Sequence, residues 1–239
     1  MPTSFQYQCP DVVAVKHGPA SGSATMPFLN RHIHARHGRT PITGPGIYGL
    51  YFDGALIYIG KYQGTKANVF GGDIAEQRWW KHIASITLRG HRLSIARRTI
   101  HAIANEQATV VADSPVAHAL RAVGTGLSTD RGCSSGYNRV RFAIQHWSSF
   151  DQDGHWDSGQ VLSRFTFVYV RFDPRAGTAA NAGFSLAPDT IRRRVSAVEH
   201  QLIRSYAPPC NNETKWGTVA PTISMAAFAE AIHTEFSLG

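Results

Sequence analysis

The apolar residues of this chain fall into a few runs whose period names their secondary structure. Ile47 to Phe52 and Ala55 to Tyr62 read as two strands, and the Asp53-Gly54 pair between them is a strong hairpin signal. Asp73 and Glu76 stand at capping-box spacing before Gln77-Arg78-Trp79-Trp80-Lys81-His82-Ile83, which predicts a helix from about Ile74 to Ile86. Arg164 to Phe172 alternates β-branched and aromatic residues and reads as a buried strand. Beyond it, Asp189 is placed to cap a helix with Ile191, Val195, Val198 and Leu202 on one face, stopped by Pro208-Pro209. A last amphipathic helix, from about Ile223 to Phe236, is expected to pack on the outside.

The remaining sequence is less regular. Between Leu88 and Ser163 it suggests helices around Ser94 to Glu106 and Pro115 to Val123, a Gly/Ser-rich stretch from Gly124 to Tyr137 and a short strand at Val140 to Trp147. Met1 to Pro45 reads as an arm with little regular structure, basic from Arg31 to Arg39. The order β-β-α, insertion, β-α and closing helix predicts an α/β (α+β) domain over 46–212. That domain would carry an insertion at 88–163, the arm (1–45) before it and a helical extension (213–239) after it.

Composition narrows the partners. With 43% hydrophobic and 17% charged residues in 239, the chain can bury a sizeable core, which excludes a disulfide-stapled miniprotein or a disordered segment. Lys+Arg 24 against Asp+Glu 16 leaves +8, mostly on arginine, which suits bidentate contact with phosphates of a polyanion. Cys9, Cys133 and Cys210 are odd in number and never form a Cys-x-x-Cys pair, which points to free thiols in a reducing compartment. No apolar run is long enough to span a membrane and no leader pattern opens the chain, so a soluble, cytoplasmic protein without a membrane partner is expected.

Gly46-Ile47-Tyr48 and Tyr58-Ile59-Gly60 lie on the two strands of the hairpin, and the turn decides whether the tyrosines cooperate. A strict two-residue turn sends them to opposite faces. A three-residue turn closed by Gly54 as a G1 bulge sets Tyr48 opposite Tyr58. For either tripeptide alone, a tyrosine filling a half-buried strand is the simpler reading.

Together the tripeptides resemble the signature of the GIY-YIG nuclease superfamily. Arg78 stands where that family has an arginine on the first helix, and His82, one turn later, matches a histidine of some of its restriction endonucleases. Glu199-His-Gln-Leu202-Ile203-Arg-Ser-Tyr206-Ala-Pro208-Pro-Cys-Asn211 fits the family's Glu-x-x-Leu-Ile-x-x-Tyr-x-Pro-x-x-Asn stretch. The resemblance covers about residues 44–87 and 164–212. It implies a three-stranded antiparallel sheet flanked by helices, with both tyrosines, Arg78, His82 and Glu199 on one concave side.

The chemistry it implies is phosphodiester hydrolysis in double-stranded DNA with Mg²⁺ (or Mn²⁺) and no small-molecule cofactor. Glu199 would anchor the metal, since Mg²⁺ is held by one or two carboxylates and completes its shell with water and substrate oxygen. Arg78 would stabilise the transition state, Tyr48 would orient or deprotonate the attacking water with His82 accepting the proton, Tyr58 would hydrogen-bond water or phosphate, and Asn211 would brace the site.

Lys61, Arg31, Arg36, Arg39, Arg97 and Arg98 are the candidate phosphate contacts, with a plain solvated basic loop as the alternative for Arg31, Arg36 and Arg39. A zinc site on His32, His34 and His37 with Cys9 or Cys133 matches no standard finger spacing. Within the superfamily the chain is most like the type II restriction endonucleases, which predicts a homodimer on a palindromic site. Alternatives are a structure-specific or non-specific nuclease acting in repair or as a toxin or antiphage effector, and a DNA-binding protein that does not cut.

Overall fold

The computed structural model describes residues 4–17, 31–88, 93–105, 133–150, 158–173, 186–215 and 218–238. The chain divides into two compact units: Met1–Val12, Gly38–Gln77 and Ser163–Gly239 form the first, Val13–His37 and Arg78–Leu162 the second. The expected insertion at 88–163, all but its last residue, is therefore the larger part of the second unit, which also takes in residues 78–87 and a piece of the expected arm, Val13–His37.

The first unit is built on four antiparallel strands, β1 (Ser4–Gln8), β4 (Gly46–Phe52), β5 (Ala55–Tyr62) and β8 (Phe165–Arg171), in the order β1-β8-β4-β5. Mixed α+β architecture is as expected, but the sheet has four strands rather than three. Its extra edge comes from the supposed arm, where Ser4 to Gln8 pair with Val170 to Thr166. Hydrogen bonding to a ready-made sheet edge supplies the order that the sequence of this strand lacks by itself. A short helix, α1 (Cys9–Val12), follows, and β2 (Val13–His17) and β3 (Arg31–Ala35) form an antiparallel pair in the second unit. The described residues of the arm thus contain three strands where irregular chain is expected.

Central strand β4 is buried along its whole length, so both sheet faces are covered. On the face of Ile47, Tyr51, Leu56, Ile59, Val168 and Val170 lies α7 (Pro188–Tyr206), whose Ile191, Val195, Val198, Leu202 and Ile203 share one apolar cluster with them. Pro188 opens this helix, Asp189 sits in its first turn rather than at the cap, and Ala207 (φ +45°) ends it just before Pro208. The closing helix α8 (Met225–Ser237) joins the same cluster through Phe228, Ile232 and Phe236. It is part of the core, not an outer layer. Gly49 explains the fit, because a Cβ there would stand 2.5 Å from the Phe228 ring.

In the second unit the predicted first helix appears as a π-helical turn, Ala75–Trp79, begun in the first unit and running into α2 (Trp80–Thr87). The residues expected as one helix from Ser94 to Glu106 divide into a strand, β6 (Leu93–Ile95), and α3 (Arg97–Ala104); β6 pairs in parallel with β7 (Cys133–Ser135). The expected strand at Val140 to Trp147 is instead helix α4 (Tyr137–Gln145), followed by α5 (Trp147–Phe150). Val140, Phe142 and Ile144 alternate like a strand, but Asn138, Arg141 and Ala143 are buried as well, so the apolar positions sample a broad helical face. The last short helix here is α6 (Ser158–Ser163). The helix expected at Pro115 to Val123 lies outside the described residues, as does most of the Gly/Ser-rich stretch. No helix among the described residues is long and apolar enough to cross a membrane.

Candidate functional site

The hairpin turn is the tight two-residue form. Phe52 pairs with Ala55, and Asp53 and Gly54 both take positive φ (+49° and +79°). Arg164 holds the turn, donating from Nε to Asp53 Oδ1 at 2.8 Å and pairing with Oδ2, while its guanidinium lies 4.5 Å over the Phe52 ring. Such a turn alone would split the tyrosines between faces. A register shift between Leu50 and Tyr51 corrects the phase: Tyr51 pairs with Leu56, Leu50 with Tyr58 and Tyr48 with Gly60, leaving Ile57 as the extra residue of a bulge. Tyr48 and Tyr58 thereby share a face as diagonal neighbours, ring centroids 6.2 Å apart, and not as the directly opposed pair of the three-residue turn.

Gly60 makes room for this arrangement. A Cβ on it would fall 2.5 Å from the Tyr48 hydroxyl and 2.8 Å from the Tyr58 ring. Tyr48 is buried (1% exposed) and Tyr58 partly exposed.

The second sequence motif reaches the same strand. Asn211, 3% exposed, accepts a hydrogen bond from the Ile59 N–H at Oδ1 (2.9 Å) and donates from Nδ2 to the Ile59 carbonyl (2.8 Å). The Cys210 N–H donates to the Ile57 carbonyl at 2.9 Å. The segment after Pro208-Pro209 thus covers the edge of β5 as a further strand would. Glu199, from α7, places Oε2 2.7 Å from Lys61 Nζ, with the two side chains 12% and 28% exposed. Gln63 Nε2, two residues on, donates to the Arg192 carbonyl (2.6 Å) and Ser196 Oγ (2.9 Å), tying the same helix to the end of β5.

The faces are not shared as expected. Lys61 pairs with Ile47, whose side faces α7, whereas Tyr48 and Tyr58 project from the opposite side. The tyrosines and Glu199 border one edge strand from its two faces instead of converging on a single concave side, because strand alternation separates positions 58 and 61.

Arg78 and His82 belong to the second unit. Arg78 is exposed; His82 is buried, and burial holds its imidazole well below the usual histidine range, with Arg139, Arg78 and Lys81 adding repulsion. It is neutral at pH 7. Its neighbour Ser85 donates to the His82 carbonyl (3.0 Å) and accepts from Arg139 (3.3 Å).

Among the supposed phosphate contacts, Lys61 is paired with Glu199, and Arg39 with Asp73 at 2.5 Å in a largely buried ion pair. Asp73 Oδ1 also accepts from the Ile42 N–H (3.4 Å) and the Ala75 N–H (3.1 Å), so Arg39 is a strut for the start of the helix rather than an arm residue. Arg97 and Arg98 are exposed on α3, where Arg97 Nε donates to His101 at 3.2 Å. Arg36 is exposed; the side chain of Arg31 lies outside those described. His34 and His37 stack at 5.4 Å, Cys9 is a buried thiol, and His32 and Cys133 have side chains outside those described.

No trio of His, Cys, Asp or Glu able to hold a metal occurs among the described residues. Glu199 is a single hard oxygen donor, partly exposed, which fits a Mg²⁺ ion that keeps most of its shell as water and substrate oxygen.

No family model, curated protein or solved structure matches this chain.

Proposed function

We propose that the chain is a divalent-metal-dependent endonuclease that hydrolyses phosphodiester bonds in double-stranded DNA, in the manner of a type II restriction enzyme. One observation carries the reading. Two motifs separated by some 150 positions meet on one strand, Asn211 clamping Ile59 of Tyr58-Ile59-Gly60 while Glu199 of the same motif pairs with Lys61, the next residue after it. Chance matches to two patterns give no reason for them to be hydrogen-bonded to each other.

In this reading Glu199 holds the metal, which when bound supplies charge neutralisation at the scissile phosphate. Lys61 keeps the carboxylate neutralised without substrate and turns to phosphate when DNA arrives. Tyr48 and Tyr58 offer two phenols to the attacking water and the phosphate oxygens. The Asn211 clamp keeps β5 in the bulged register that pairs them. Arg78 and His82 keep the roles that the resemblance implies, transition-state stabiliser and proton acceptor, although a neutral histidine with a lowered pKa is a weak acceptor.

A second reading, a DNA-binding protein that does not cut, is favoured by the burial of Tyr48 and the engagement of Glu199 by Lys61. Incubation of the chain with long unmethylated DNA, with Mg²⁺ or with EDTA, and sequencing of the fragment ends separates the two. Discrete ends sharing a short palindrome, lost in EDTA and in Glu199→Ala, support the restriction-type enzyme. Scattered cuts support a non-specific nuclease, cuts at branches a structure-specific one, and binding without cuts the second reading.

A further inference from the structure

The positive charge of this protein is divided very unevenly between its units. Val13–His37 and Arg78–Leu162 carry 13 Lys and Arg against 6 Asp and Glu, a net +7, while the other unit has 11 against 10. Eleven of those 13 cations are arginine, the side chain that meets phosphate with a fork of donors. Three helices of the second unit bear part of this charge: α2 has Lys81, with Arg78 in the π-helical turn that leads into it, α3 has Arg97 and Arg98, and α4, against which α2 and α3 pack, has Arg139 and Arg141. Lys81, Arg97 and Arg98 are exposed.

We infer that the second unit is the module that grips duplex DNA, with Lys81, Arg97 and Arg98 among its phosphate contacts, and that the nearly neutral first unit contributes little to affinity. The inference rests on the nuclease reading for its choice of duplex DNA. Its physical basis is independent of the cleavage site. A surplus of seven charges within one compact unit sets up a local positive potential, and each phosphate contact releases condensed counterions whether or not chemistry follows. The repulsion that Arg139, Arg78 and Lys81 exert on His82 is the same field felt inside the unit.

The test uses the full chain carrying Glu199→Gln, so that binding is read without cleavage, with a duplex of about 30 base pairs titrated at several salt concentrations. Lys81→Gln, Arg97→Gln and Arg98→Gln are combined in one variant. Lys66→Gln, Arg193→Gln and Arg204→Gln, exposed in the first unit, form a control that loses the same charge. The first set should weaken binding about tenfold or more at 0.15 M salt and flatten the slope of log affinity against log salt by up to about 2.7, at about 0.9 per contact in B-DNA. The control should change neither substantially, and unaltered melting temperatures in both would show that the folds are intact.

Equal losses in both variants would mean that only total charge matters, and no loss in the first would mean that the duplex is held elsewhere; either result overturns the inference. Preference for an RNA hairpin over the duplex overturns the choice of DNA. Failure of the nuclease reading is seen separately, as absence of cutting by the unsubstituted chain whose binding still depends on Lys81, Arg97 and Arg98.

Discussion

At the scale of single residues, a glycine and a histidine are the most exacting positions. Gly60 leaves the space that the Tyr48 ring occupies, so Gly60→Ala should displace the phenol and cost about 1 to 3 kcal/mol of stability, read from the shift in urea midpoint at constant slope. Tyr48→Phe removes only the hydroxyl. Under the proposed chemistry it should lower the cleavage rate about a hundredfold or more with DNA affinity little changed, and normal turnover would move the role to Tyr58 or His82. His82 gives a pH signature. Its folded pKa lies below the unfolded value near 6.5, so the unfolded chain binds the extra proton and stability falls as pH drops below about 6.5. His82→Gln should flatten that decline, measured by denaturant titration from pH 7.5 to 5; an unchanged pH dependence would assign it to other groups.

At the scale of elements, the bulge and the closing helix matter most. The turn, the bulge at Ile57 and the Asn211 clamp act together, for a tight turn without a bulge would reverse the face of every residue from Tyr58 to Tyr62. Asn211→Ala leaves the buried Ile59 N–H and carbonyl without their partner, a loss of about 1 to 3 kcal/mol for each group left unsatisfied. Protection of the Ile59 amide from hydrogen exchange should fall with it. Helix α8 packs Phe228 against Gly49, Tyr51 and Tyr206, so Phe228→Ala should cost about 3 to 5 kcal/mol, where an outer helix would tolerate it. Much of this level was legible in advance. Strands β4, β5 and β8 and helix α7 fall where periodicity and turn signals put them, because each carries its own propensity. Strand β1 and helix α4 were not, since Ser4 to Gln8 are ordered by β8 and the apolar alternation of Val140 to Ile144 fits two periods equally well.

At the scale of the whole molecule, the Glu199–Lys61 pair and the surplus of cations belong to different compact units. Under the proposed function, loss of the carboxylate and loss of grip are separable: Glu199→Ala should abolish cleavage while leaving duplex affinity and its salt dependence as they were, checked by cleavage and fluorescence-anisotropy titration of the same preparation.

The amino-acid sequence by itself determined the hairpin, the two long core segments and the identities of Tyr48, Tyr58, Glu199 and Asn211, since these depend on local spacing and side-chain type. Only the tertiary structure decided that a bulge at Ile57 puts both tyrosines on one face, that Glu199 meets Lys61 on the other, that Arg39 is an internal strut, and that the surplus of cations gathers in one unit. The physical reason is that a bulge, an ion pair and a shared electrostatic field are all relations between residues distant along the chain, and no local pattern specifies the partner.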